Sequence, residues 1–558
     1  MSSPRPGPAE GPVVHLADLV ARNAAERPGH DAVRDLSGGA PLTLSWSAFD
    51  AAVSAEAARL RASGVRPGQR VAVGLPDGAA YCVAVFGALR ADAVVVPFGA
   101  DSVTRELDSV FGQAEPVVVV AAPDDAAAPG CAERCGARVL PPPDPAAPAP
   151  DTPPAERAPA DPERIALIVF TSGTTGRPRG VQLSHRALLA NREQAGQLRP
   201  APVNAVDRVL LALPLFHIYG FAAGLVQVCW AGATVVLPGR FEPGRVIDAV
   251  VDERVSVIAG VPSMFRALLD LGAGPGEGTA PDTDPDTATG ADTAHDTASA
   301  ADPGADRLRR ALGGVRLCTS GGAPLPAGWL ADFRTATGLE LHEGYGLTEG
   351  GPVITSNDLG RPAKPGSVGR PLPGVELQLV DTAGRPIDAP EPEPDADELD
   401  LDDGTEVGDD TGLIALRGPN LFSGYWPDGS GGPDEDGWFV TADVAYRDSD
   451  GDLHLVDRSS DLVIVNGFNV YPREVEQVIA ELEAVAEVAV VGVPDDRTGA
   501  AVKAVVVPVP GAELTAEQVT EHCAARLARF KRPAAVAFAD ELPRTPTGKI
   551  ARQTLARM

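Results

Sequence analysis

Thr171 to Gly180 reads TSGTTGRPRG and follows directly on IALIVF, Ile165 to Phe170, a short apolar run of the kind that forms a buried strand. Gly173, Gly176 and Gly180 let the main chain turn tightly and aim N–H groups inward. Ser172, Thr174 and Thr175 add hydroxyl donors, and Arg177 and Arg179 add positive charge. A strand running into such a loop makes an anion-binding nest suited to polyphosphate. It is not a Walker A loop, because G-x-x-x-x-G-K-[ST] is absent. An ordinary Gly/Thr turn shares this composition, so the loop alone does not decide the chemistry. A second signal is a residue type. Of 47 basic residues only Lys364, Lys503, Lys531 and Lys549 are lysines. Where arginine has replaced lysine almost everywhere, a surviving lysine marks a position that wants a compact ammonium. Lys549, in PRTPTGKIAR, is the candidate, and Lys503 and Lys531 are expected at the surface.

These residues need a scaffold. At 558 residues the chain is several times the ~150 of one domain. Its 44% hydrophobic content supplies a large core and excludes collagen-like or wholly disordered chains. Residues 13–120 alternate helical and strand patterns. Trp46 to Ser63 is apolar at helical spacing and stops at Gly64; VRPGQRVAVGL reads as a turn and a buried strand; AAYCVAVFGALRADAVVVPF repeats helix then strand. Such alternation predicts α/β architecture. Three segments are expected to be disordered excursions: 121–163, rich in Ala, Pro and Asp; 274–306, too polar to offset its ordering entropy; and the acidic stretch within 385–410. After Arg458 the pattern restarts with LVIV, PREVEQVIAELE, VAEVAVVGV and AVKAVVVPV. The expected organisation is a large α/β domain over 13–458, built of several subdomains, and a small α+β domain over 459–558.

The formal charge of −30 is mostly local. Residues 274–306 hold eight acids and no Lys or Arg, and residues 381–410 hold thirteen acids and one Arg. The balance argues against non-specific binding to nucleic acid or to anionic membranes. No run reaches the ~18 uncharged apolar residues of a membrane helix, and the N-terminus lacks a basic-then-apolar secretory pattern. Of six scattered cysteines only Cys131 and Cys135 are close, with no second pair to complete a zinc site. A reduced, cytoplasmic protein is expected.

Seven segments in order resemble the adenylate-forming superfamily of acyl-CoA synthetases, nonribosomal adenylation domains and luciferase. They are TSGTTGRPRG; LPLFHIYG, Leu213 to Gly220; SGGAPL, Ser320 to Leu325; GYGLTE, Gly344 to Glu349; GWFVTADVAYRDSDGDLHLVDR, Gly437 to Arg458; and NGFNVYPREVE with PRTPTGKIAR. The resemblance covers roughly residues 15–556. It implies that a carboxylate attacks the α-phosphate of ATP, giving acyl-AMP and pyrophosphate, before a thiol takes the acyl group. Under it Thr171, Ser172, Gly173, Thr174, Thr175 and Gly176 grip the β- and γ-phosphates, with Arg179 where lysine is usual. Gly322, Ala323 and Pro324 line the adenine pocket, and Tyr345 lies against the base. Gly346, Gly322 and His217 border the acyl pocket. Thr348 contacts phosphate and Glu349 helps hold Mg²⁺. Asp443, in Thr-Ala-Asp rather than the usual T-G-D, accepts from the ribose hydroxyls with Arg458 nearby. Lys549 bridges the substrate carboxylate and the α-phosphate. Ser460, where Asp or Lys is common, is the hinge of a mobile C-terminal domain.

Amino-acid-activating relatives carry an aspartate in the acyl-site motif, whereas this chain reads Phe216-His217-Ile218-Tyr219. An α-amino group would go unpaired there, so an unaminated acid is expected. The motifs most resemble medium- to long-chain fatty acyl-CoA synthetases, with aryl-CoA ligases close behind. CoA is the expected acceptor, and loading of an acyl carrier protein is the alternative. A catalytically silent nucleotide-binding scaffold is a third reading, opposed by the intact Thr348, Glu349, Asp443, Arg458 and Lys549.

Overall fold

Ser45 starts the first long helix: its hydroxyl accepts the N–H of Ala48 at 3.2 Å, satisfying a donor that the helix Trp46–Ala62 leaves open. The chain exits through Gly64 at φ +94°, a conformation glycine adopts without penalty. Trp46 and Phe49 bury one face of this helix, and Phe49 meets Phe86 edge-to-face, 5.8 Å between centroids. The computed structural model describes residues 13–122, 124–148, 161–171, 178–273, 303–381, 383–387, 411–458, 463–465, 468–470, 472–495, 499–527, 529–544 and 550–557.

Helix–strand alternation builds two sheets in the large domain. A six-stranded sheet runs in the order Arg138–Leu140, Val118–Ala121, Arg70–Gly74, Val94–Pro97, Ile165–Thr171, Arg179–Ser184. Its first five strands are parallel and the last pairs antiparallel. The second sheet has thirteen strands. Its centre is parallel, with Arg208–Leu211, Val257–Gly260, Leu317–Ser320 and Leu341–Tyr345 as successive neighbours. Beyond Tyr345 it turns antiparallel through Thr355–Ser356, Ser367–Pro371, Leu453–Arg458 and Trp438–Arg447. Parallel strands buried on both faces read as continuous Val/Ile/Leu runs, which is how VVVP and VVVA appear. The small domain is the antiparallel pair Val485–Asp495 and Gly499–Pro508 with the parallel strand Ala535–Phe538, packed on helices Pro472–Ala480 and Ala516–Ala524.

Three expectations change. The segment 121–163 is not all excursion: Ala128–Cys135 is helical and Arg138–Leu140 adds the edge strand of the six-stranded sheet. Asp125 starts that helix, its Oδ1 accepting from Ala127 at 2.9 Å and Ala128 at 2.7 Å. Second, the insertion 274–306 ends earlier than composition indicates, because helix Pro303–Ala311 begins inside it; residues 274–302 and 388–410 lie outside the described residues. Third, Lys503 and Lys531 are not free surface residues. Lys503 Nζ donates to Leu555 O at 3.4 Å and Lys531 pairs with Glu474 at 2.7 Å. Lys364 is engaged too: Asp448, Asp450 and Asp452 converge within 4.8 Å of one another, and its ammonium sits 2.6 Å from the first two. Cys131 is buried and Cys135 half-buried, both as free thiols.

Candidate active site

Between the two sheets lies a cavity of about 1040 Å³. The buried strand Ile165–Thr171 delivers Thr171 to its edge, where Thr171 pairs with Arg179 in the antiparallel register. The turn between them, with Ser172, Gly173, Thr174, Thr175 and Gly176, lies outside the described residues. Arg179 is described, and its guanidinium stacks 3.5 Å from the centroid of the Tyr425 ring. The Tyr425 hydroxyl donates to Glu349 Oε1 at 2.8 Å. A cation from the Gly-rich turn is thereby linked to the carboxylate of the GYGLTE segment through one aromatic ring. Burial, and then the Glu349 carboxylate, push the Tyr425 phenol above its usual range, so it stays a donor.

Main-chain stitching places Tyr425. Ser423 N donates to Gln182 O at 2.9 Å, Gln182 N to Gly424 O at 3.1 Å and Trp426 N to Gly180 O at 2.7 Å. Gly424, at φ +92°, could carry no side chain: a Cβ would lie 1.8 Å from Gly429 O. Phe422 N holds Glu349 O at 2.8 Å, fixing the short 3₁₀ turn Thr348–Gly350. Thr348 and Glu349 both line the cavity, as do Thr171 and Arg179.

Asp443, expected at the ribose, is held on two sides. Its Oδ2 accepts from the Tyr345 hydroxyl at 2.6 Å and its N–H donates to Thr441 Oγ1 at 3.1 Å. Replacing the usual glycine with Ala442 leaves the aspartate in place, and Thr441, Ala442 and Asp443 all line the cavity. Arg458 is the register partner of Asp443; its side chain lies outside the described residues. Tyr345, expected against adenine, packs in a cluster with Ile354, Val368 and Leu372, and Gly344 and Gly346 on either side of it line the cavity. A Cβ on Gly346 would lie 2.2 Å from Pro352 O, so the chain there lies flat against its neighbour. Gly322 lines the cavity; Ala323 and Pro324 follow it without doing so. Ser320, at the head of the same loop, has a buried hydroxyl with no partner among the described residues, a cradle that suits a nucleotide's hydrogen-bonding groups.

Glu343, not singled out by sequence, holds that loop: its Oε1 accepts the N–H of Leu325 at 3.1 Å. Burial pushes its carboxyl up to about 7, offset by the Leu325 hydrogen bond and by Arg473 of the small domain. Arg473 also donates to Leu455 O at 3.0 Å across the domain junction.

On the acyl side His217 Nδ1 accepts from Tyr219 N at 3.2 Å, and both residues line the cavity. Tyr219 begins a π-helical stretch, Tyr219–Val226, and its ring lies 3.3 Å from where a Cβ on Gly321 would stand. Asp77 anchors this loop from the other sheet's side, accepting Leu215 N at 2.8 Å; burial raises its carboxyl to about 6. Val209, Val257, Ala259 and Leu317 give this end apolar walls. Lys549 and Ser460 lie outside the described residues; Arg544 and Ile550, flanking Lys549, pair across a β-bridge. Asp77, Tyr219, Glu343 and Tyr425 act through contacts distant in sequence, which no local pattern announces.

The arrangement matches known proteins. The family description "AMP-binding enzyme" matches residues 20–426, and "AMP-binding enzyme C-terminal domain" matches residues 474–549. The chain is 34% identical over 550 residues to a feruloyl-CoA synthase of Amycolatopsis sp, covering 97% of this chain and 98% of that protein. It is 32% identical over 398 residues to a long-chain-fatty-acid–CoA ligase of Bacillus subtilis (strain 168), covering 71% and 62%. Its fold superposes on ATP-bound MatB from Rhodopseudomonas palustris with TM-score 0.80 and 30% identity, covering 97% and 98%. With the Bacillus subtilis o-succinylbenzoate CoA synthetase in complex with its acyl-adenylate the TM-score is 0.76 at 26% identity, covering 96% and 97%.

Proposed function

The chain belongs to the AMP-binding enzyme family and is an AMP-forming acid–CoA ligase with ATP and CoA as co-substrates; from that premise we propose which acid it takes and how its residues divide the work. The observation that supports this division of roles is the tethered Asp443: fixed by Tyr345 at 2.6 Å, it lines one cavity with Thr348 and Glu349, as a ribose acceptor beside phosphate ligands would.

In the first half-reaction a carboxylate oxygen attacks the α-phosphorus, the bond to the β-phosphate breaks and pyrophosphate leaves. Thr171, Ser172, Gly173, Thr174, Thr175 and Gly176 hold the outgoing phosphates, aided by Arg179 and Thr348. Glu349, oriented through Oε1 by Tyr425, offers a single hard carboxylate, which suits a Mg²⁺ ion bound mainly through phosphate oxygens. Mg²⁺ supplies charge neutralisation when bound. Gly322 borders the base, while Asp443 with Arg458 fixes the ribose. Lys549 offsets the charge that moves from carboxylate to phosphate. In the second half-reaction the CoA thiolate attacks the acyl carbonyl and AMP leaves, after the small domain turns about Ser460.

The acid is unaminated and largely apolar in body, since no carboxylate stands in the FHIY segment and Val209, Val257 and Leu317 line that end. A medium- to long-chain fatty acid and an aryl acid both meet this description, and the end-to-end similarity to a feruloyl-CoA synthase supports the aryl reading. The test is ATP-dependent pyrophosphate release over a panel of fatty and aryl acids, with free CoA or a holo-carrier protein as acceptor. Release without any acid dependence would remove the ligase reading. Thioester on the carrier alone would move the acceptor from CoA to protein.

A further inference from the structure

Arg192 is 1% exposed, yet it lines the cavity. It stands on the helix His185–Gly196. One terminal nitrogen donates to Gln227 Oε1 at 3.2 Å and the other to Asn191 Oδ1, while Nε has no partner among the described residues. A guanidinium has five N–H donors; two are used here, both on neutral amides. Among the described residues no carboxylate acts on it: burial lowers its pKa to about 9. An ion taken out of water with no opposite charge is a cost that folding does not recover from two amide contacts. A ligand that brings an acceptor or an anion would recover it.

Position says which ligand. Gln227, the neutral partner, begins the short helix Gln227–Ala231, which continues directly from the π-helical stretch that starts at Tyr219 in the acyl motif. Leu198, Val203 and Val209 line the cavity with Arg192. The phosphate side has its own cation, Arg179, already joined to Tyr425. We propose that Arg192, with Gln227, reads the far end of the acid: the substrate carries a strongly accepting oxygen there, a second carboxylate or a phenolic oxygen, rather than a plain hydrocarbon terminus. This rests on the acid–CoA ligase reading and narrows its substrate.

The test uses matched pairs that differ only at the far end: octanoate against octanedioate, and cinnamate against 4-hydroxycinnamate. Pyrophosphate release from ATP by the full chain should favour the oxygen-bearing member by about 10-fold or more in kcat/KM, and the pair that shows it identifies the source. Arg192→Met keeps an extended side chain and removes the charge, a kind of exchange buried sites tolerate. It should abolish or reverse the preference while leaving ATP affinity unchanged. Equal or better use of the hydrocarbon member in both pairs by the wild type would overturn the proposal. So would a preference kept by Arg192→Met, or loss of ATP affinity in that variant. Thermal shifts with the same four acids provide a readout independent of turnover. If no acid supports pyrophosphate release, the ligase reading fails. The proposal about Arg192 then stands only if oxygen-bearing acids stabilise the wild type more than Arg192→Met, and falls if they do not.

Discussion

Near the end of the strand Leu341–Tyr345, Glu343 is buried against the loop it holds, with its carboxyl raised by burial from 4.5 to about 7. Between those values the folded state keeps a proton that the unfolded chain releases. The associated stability is present in full below about pH 4.5 and is lost as pH rises towards 7. Glu343→Gln keeps the acceptor for Leu325 and cannot ionise. In paired thermal melts from pH 5 to 8 the variant is expected to gain on the wild type as pH rises, by on the order of 2–3 kcal/mol at the alkaline end; parallel profiles would refute this. Lys549 gives the second residue-scale prediction. Lys549→Ala should slow acyl-AMP formation at least ~10²-fold, and Lys549→Arg should rescue poorly because a planar fork cannot replace a compact ammonium. Supplied with acyl-AMP and CoA, Lys549→Ala should still make thioester, so normal adenylation by the variant would sink the role. The two residues differ in legibility. Lys549 stood out because lysine is rare, whereas Glu343 stands one residue before the GYGLTE segment and outside every motif. Arg192 reaches Gln227, and Tyr425 reaches Glu349, only through the tertiary fold.

Elements were legible wherever periodicity was strong, as in Trp46–Ala62 and Ile165–Thr171. Ala128–Cys135 was hidden because eight residues give barely two turns and the proline-rich stretch after Leu140 dominates the composition. The helix His185–Gly196 repays attention at this scale, since it starts from a buried serine and carries Arg192. Ser184 is 0% exposed and its hydroxyl accepts Ala187 N at 3.2 Å. Ser184→Ala leaves that donor buried without a partner, and denaturant melts are expected to show a loss of about 1–2 kcal/mol; an unchanged midpoint would mean that water replaces the cap. The junction between domains is an element-scale question as well. Ser460→Pro fixes one φ angle. It should depress thioester formation more than acyl-AMP formation when the two half-reactions are timed separately, and equal losses would place the pivot elsewhere.

For the molecule as a whole, the cavity is assembled from both large sheets, so its residues come together only when the entire N-terminal domain is folded. Deletion of the long insertion, residues 274–302, is a test at this scale. Helices Pro262–Ala273 and Pro303–Ala311 flank it and contact each other, so a short linker can join them. Loop closure changes only slowly with length, and replacing residues 275–301 by a Gly/Ser linker is expected to leave solubility and pyrophosphate release within about twofold; collapse of either would show that the segment packs or binds. Removing that segment also lightens the chain's negative charge, because residues 275–301 hold acids and no Lys or Arg. The lysine scarcity also has a practical side. Lys364 is enclosed by three aspartates, Lys531 is paired with Glu474 and Lys503 is bonded to a main-chain carbonyl. An amine-directed label applied to the native enzyme therefore meets three ε-amino groups already engaged. Mapping where such a label lands, with and without nucleotide, turns a coding bias into a nearly site-selective chemical reporter.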